Sequence, residues 1–125
     1  MPRRVLVVDD EADIREVAKV SLEMVAGWHV LEADSGQHAI ELAAAERPDA
    51  ILLDVMMPEM DGPATFRTLQ SDWITREIPV ILLTAKVHSA DQRGFEKLGV
   101  AGLIAKPFDP LTLHLAVQRA LGWDS

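Results

Sequence analysis

The chain has 125 residues, enough for one domain with a sizeable core and too few for two comfortable ones. Its hydrophobic fraction of 49% excludes disorder, and its formal net charge of -8 argues against gripping nucleic acid through general electrostatics. With no cysteine there is no disulfide, thiolate nucleophile or Cys-based zinc site, and no apolar run approaches the length of a bilayer span.

The opening MPRRVLVVDDEA lacks the long apolar region of a secretory signal, so a cytoplasmic location without membrane attachment is expected. Arg4 to Val8 reads as a strand apolar on both faces that ends in Asp9, Asp10 and Glu11. Ile14, Val17, Ala18, Ser21, Leu22 and Val25 then recur at helical spacing until Gly27 breaks the pattern. Trp28 to Glu32 reads as a second strand with Val30 inward, and Ser35 and Gly36 turn the chain into an alanine-rich helix that stops before Pro48. Ala50 to Leu53 is a third short apolar strand closed by Asp54. After the loop VMMPEMDG, Pro63 fits the first turn of a helix with Phe66 and Leu69 on one face.

Pro79 to Leu83 forms the fourth strand and stops at Thr84. His88 to Leu98 reads as a helix weakened by Gly94 and terminated by Gly99. Leu103 to Ala105 makes a fifth strand before Lys106, and Asp109 with Pro110 reads as the cap and first turn of a last helix through Leu121. His29, His38, His88 and His114 are scattered without metal-ligand spacing, and the tryptophans and phenylalanines form no stacking platform for bases.

Strands alternating with helices imply an α/β domain with a parallel sheet covered on both faces, and the order 2-1-3-4-5 is adopted from flavodoxin-like proteins. A single domain over 1–125, with its core at about 4–121, follows. In such a sheet the carboxyl ends share one edge, so Asp9, Asp10, Asp54, Thr84 and Lys106 meet in one shallow pocket. Three carboxylates held together repel, and a hard divalent cation with oxygen ligands relieves that repulsion. Lysine and a hydroxyl beside them suit phosphoryl oxygens, and Asp54, alone at a central strand end, is the candidate nucleophile for an aspartyl phosphate. Singly, each of these residues is as well explained as a helix cap, a turn or a solvated side chain.

Four segments carry a further signal: VLVVDDEADIREV (5–17), ILLDVMMPEMDG (51–62), PVILLTA (79–85) and AKPFDP (105–110). In this order and at these separations they resemble the signature segments of response-regulator receiver domains, over essentially the whole of Arg4 to Leu121. The resemblance implies a (βα)5 flavodoxin-like fold and a phosphorylation-dependent switch. A histidine kinase or histidine phosphotransfer protein would donate the phosphoryl group to Asp54, with Thr84 and Lys106 contacting it. It also implies Mg2+, which Mn2+ can replace, held by Asp9, Asp10, Asp54 and the backbone carbonyl of Met56, and a cis bond between Lys106 and Pro107. Output would pass through the fourth helix, fifth strand and fifth helix to a downstream protein or a second copy, without direct nucleic-acid contact.

Three positions depart from or tune the pattern. Leu103 stands where the family commonly carries tyrosine or phenylalanine, Met56 has no group to orient a water, and Lys86 places a positive charge near the pocket mouth. The alternatives are a phosphorylation-independent interaction module, supported by Leu103 alone, and an aspartate-nucleophile phosphatase. The phosphatase is disfavoured because Asp9 and Asp10 are adjacent rather than spaced by one residue. A flavin carrier fits worse still, since the edge is acidic where a flavin phosphate needs donors or positive charge.

Overall fold

The computed structural model describes residues 2–85 and 89–124, with side chains for 2–85 and 93–124. Ten elements alternate along the chain. They are β1 (Arg4–Val8), α1 (Ala12–Ala26), β2 (His29–Ala33), α2 (Gly36–Glu46), β3 (Ala50–Asp54), α3 (Gly62–Ser71), β4 (Val80–Thr84), α4 (Ser89–Glu96), β5 (Gly102–Ala105) and α5 (Leu113–Leu121). All strand pairs are parallel and the order is β2-β1-β3-β4-β5, as expected. A strand buried on both faces needs apolar residues at every position. β3 and β4, buried along their whole length, meet that demand up to their last residues, Asp54 and Thr84.

Side chains alternate across the sheet, so each central strand feeds two cores. Leu6, Val8, Ile51, Leu53 and Leu82 enter one cluster with Ala39, Ala43, Phe66 and Leu69 from α2 and α3. Val5, Val7, Leu52, Ile81 and Leu83 enter the other with Ala18 and Leu22 of α1 and Leu113 and Val117 of α5. Helices on both faces thus follow from the period-2 pattern of the strands, α2, α3 and Phe95 of α4 against one cluster and α1 and α5 against the other. Trp28 adds a lock to the second cluster. It is buried and meets Trp123 edge to face at 5.4 Å, while the Arg3 guanidinium lies 4.1 Å from the Trp123 ring centre.

The caps explain where the helices begin and end. Ser35 accepts from the His38 amide at α2, and Asp61 accepts from the Ala64 amide at α3 with Pro63 just inside the helix. Gly27, at φ 73, ends α1 in the left-handed conformation that a side chain disfavours.

The last helix differs from expectation. Asp109 caps the Leu111 amide at 2.9 Å, and its carbonyl accepts from the Thr112 amide at 3.1 Å. These bonds close a tight turn, and the α-helix itself starts only at Leu113. Asp109 and Pro110 therefore open a turn that precedes the helix. β2 and β4 each sit one residue later than the apolar runs suggested, and Asp54 is the last residue of β3 rather than the first beyond it. The expected start of α4 at His88 lies outside the described residues.

Candidate functional site

The sheet order decides what meets at the carboxyl edge. β1 and β3 are neighbours, so Asp9, just past β1, and Asp54, ending β3, lie side by side. Oxygens of Asp9, Asp10 and Asp54 all fall within 4.8 Å of one another. Asp9 and Asp54 are buried and Asp10 is exposed. Lys106 arrives from the end of β5, where its amide donates to the Thr84 carbonyl at 2.9 Å. Its ammonium donates to Asp9 Oδ2 at 3.0 Å and to Asp54 Oδ1 at 3.1 Å. One cation thus bridges two buried carboxylates that are 45 residues apart in the chain, from the far end of it.

Asp9 is satisfied on every side. Its amide donates to the Ala33 carbonyl at 3.2 Å, Oδ1 accepts from the Glu11 amide at 2.9 Å, and Oδ2 accepts from Lys106. Its carbonyl accepts from Arg15 Nη1 at 2.7 Å. A carboxylate with no solvent access is tolerable only when so paired.

Asp54 is less comfortable. Burial raises its pKa, the charge of Asp9 raises it further, and the hydrogen bond and charge of Lys106 with the Met56 amide offset only part of this. For Lys106 burial alone works against the charged form, but the bonds and charges of Asp9 and Asp54 outweigh it and leave its pKa raised. The ammonium therefore stays charged, and the strain of the cluster resides on the carboxylate side.

Close approach of α3 completes the pocket wall. The Gly62 amide donates to the Val55 carbonyl at 2.9 Å, and a Cβ at Gly62 would stand 2.6 Å from the Asp54 carbonyl oxygen. Thr84, buried at the end of β4, is one residue beyond Leu83, the register partner of Asp54. The expected edge residues Asp9, Asp10, Asp54, Thr84 and Lys106 thus share one end of the sheet. Contacts of Arg15 and Gly62 with this edge were not legible beforehand. The Arg15 partners come from two other segments, whereas the run Asp61-Gly62-Pro63 did carry the sign of a sharp helix entry.

A family model described as the response regulator receiver domain matches residues 5–118. The chain belongs to the response regulator receiver domain family.

Similar proteins place this receiver domain among both long and short relatives. It is 42% identical over 119 residues to the phosphate regulon transcriptional regulatory protein PhoB of Pseudomonas aeruginosa, covering 95% of this chain and 52% of that one. It is 40% identical over 121 residues to the response regulator MprA of Mycolicibacterium vanbaalenii, covering 97% and 51%. The chain spans about half the length of the curated relatives it matches. The chemotaxis response regulator CheY4 of Vibrio cholerae superposes with a TM-score of 0.89 at 31% identity, covering 96% of this chain and 99% of that one. The chain is thus a receiver domain of the kind found in two-component response regulators.

The tuning positions of this receiver domain have distinct surroundings. Leu103 is half-buried and packs against the cluster shared by α2 and α3, and Met56 is 69% exposed beside Asp54. The bond between Lys106 and Pro107 is cis, as the resemblance implied. Lys86 lies outside the described residues. No described helix is long and apolar enough to cross a membrane.

Three carboxylates with oxygens within 4.8 Å of one another, all hard oxygen ligands and one of them open to solvent, fit a magnesium-type cation.

Proposed function

We propose that Asp54 accepts a phosphoryl group from a phosphohistidine of a partner protein, in a reaction that depends on Mg2+. The observation that carries this reading is the Lys106 ammonium set between Asp9 and Asp54 beside exposed Asp10. An Asp54 carboxylate oxygen forms the new bond to phosphorus. The phosphorus–nitrogen bond breaks, and its electron pair leaves with the donor imidazole, which takes up a proton. Lys106 stays within reach of Asp54 and meets charge spreading over the phosphoryl oxygens, while the Thr84 hydroxyl serves as a further donor. Asp9, Asp10, Asp54 and the Met56 carbonyl would hold Mg2+ (or Mn2+), which would supply positive charge to offset the acidic cluster and the transferring phosphoryl group. We place the reaction in the cytoplasm, where such a donor kinase presents its histidine.

A protein donor is favoured over a small one by an apolar groove on α1 and the turn before α5. Val17, Val20, Met24 and Leu111 are exposed along α1 and the turn before α5, and with Pro110 they line one apolar groove. Pro110 of this groove lies four residues after Lys106 in the chain, and on this reading an amphipathic helix seated in the groove presents its histidine to Asp54. The switch then alters binding at the face of α4, β5 and α5, either to a downstream protein or to a second copy.

Acetyl phosphate with Mg2+ adds about 80 Da to the intact mass. Asp54→Asn abolishes the addition. Labelling of Asp54→Asn at the wild-type rate overturns the acceptor assignment, and a wild type that takes no label while binding a partner is instead an interaction module.

A further inference from the structure

From its contacts we infer that Arg15 is a positioning residue for the cation site, one that acts through the backbone and not as a ligand. The inference rests on the reading of Asp9, Asp10 and Asp54 as the Mg2+ site. Arg15 sits in the first turns of α1, its side chain only 18% exposed. One arm of its guanidinium, Nη1, donates to the Asp9 carbonyl at 2.7 Å. Another, Nε, donates to Glu32 Oε1 on β2 at 3.2 Å, and Lys19 approaches the second oxygen of Glu32 at 3.9 Å. The guanidinium is therefore held by an anchor outside the site while it grips the strand end inside it.

The carbonyl that Arg15 holds belongs to the peptide joining Asp9 to Asp10, and that unit is planar and rigid. Pinning the oxygen fixes the plane, and the plane fixes the direction in which the Asp10 Cα departs. Asp9 needs no such help, since its carboxylate is already bound by the Glu11 amide and Lys106. Asp10 is the exposed member of the cluster, and no hydrogen bond is described for its carboxylate; its aim depends on the backbone beneath it.

The sign of the effect separates this role from simple charge. If Arg15 acted only as a nearby positive charge, it would repel Mg2+, and its removal would tighten binding. A positioning role predicts the reverse. It also predicts that lysine does not restore binding fully, because one ammonium cannot reproduce the fork that spans the carbonyl and Glu32.

The test is calorimetric titration of the full chain with Mg2+ at a temperature where circular dichroism shows each variant folded. Arg15→Ala weakens Mg2+ binding by about tenfold, Arg15→Lys by less, and Glu32→Gln shifts it in the same direction. Thr75→Val is the control for mere destabilisation. It removes a buried bond to the Leu69 carbonyl, lowers the melting temperature and leaves Mg2+ affinity unchanged. Unchanged or tighter binding in Arg15→Ala overturns the inference and leaves the cation site standing. Should that variant fail to fold, unchanged binding in Glu32→Gln and Arg15→Lys overturns it equally. A wild type that takes no Mg2+ overturns the cation site, and the role of Arg15 with it.

Discussion

Lys106 offsets part of the charge of two buried carboxylates that otherwise repel each other. Its ammonium lies at 3.0 and 3.1 Å from Asp9 and Asp54, and removing it leaves both without that counter-charge. Lys106→Ala therefore destabilises the metal-free protein by roughly 3 kcal/mol, the scale for breaking a buried ion pair. The same change leaves the acidic cluster more strongly negative, so added Mg2+ raises the melting temperature of the variant by more than that of the wild type. Parallel thermal scans with and without Mg2+ check both effects. An equal Mg2+ increment in the two proteins shows that the lysine and the cation do not answer the same charge.

At the scale of elements, the decisive contact is backbone on backbone. α3 enters so close to the end of β3 that Gly62 has room for a hydrogen and no more, with the Asp54 carbonyl 2.6 Å from the position of a Cβ. Gly62→Ala forces the helix start or the strand end to move. The expected cost is about 2 kcal/mol of stability, from overpacking. Because the moving group carries Asp54, the labelling rate with acetyl phosphate falls as well. Loss of stability at an unchanged labelling rate shows that the helix gives way instead of the strand.

This contact also marks how far the sequence could be read. The strands and the edge residues were legible because apolar runs ending in Asp9, Asp54, Thr84 and Lys106 leave few other arrangements in a parallel sheet, and the adopted order was the one found. Helix boundaries were less so. Asp109 and Pro110 have the chemistry of a helix start, yet the bonds of Asp109 close a tight turn first, and choosing between the two depends on packing against α1. That packing includes a Ser21 hydroxyl donating to the Pro110 carbonyl, a pairing across 89 positions that no local pattern announces. The grip of Arg15 on Asp9 was hidden for the same reason, since its anchor Glu32 comes from another strand.

For the molecule as a whole, the cluster makes stability depend on pH. Burial and the charge of Asp9 raise the Asp54 pKa above its ordinary 3.8, so the ionised form is disfavoured in the fold relative to the unfolded chain. That penalty is present at neutral pH and disappears as pH falls through the raised value towards 3.8. Lys106 has the opposite window. With its pKa raised above 10.5, its contribution is fully present below that value and is lost only as pH rises through the folded one. Without Mg2+, Asp54→Asn should thus be more stable than wild type at neutral pH by a few degrees of melting temperature, with the gap closing on acidification. Denaturation of both proteins across this range checks it. A gap that stays constant with pH assigns the difference to packing and not to ionisation.

The bridge from Lys106 to Asp9 spans 97 positions, so it joins a residue made early to one made late. A chain emerging from the ribosome displays Asp9, Asp10 and Asp54 well before Lys106 exists. Partial products that stop short of β5 carry Asp54 without the Lys106 ammonium that pairs with it. On the proposal that Asp54 is the acceptor, competence to take a phosphoryl group is conferred only once the segment after the last strand has been made.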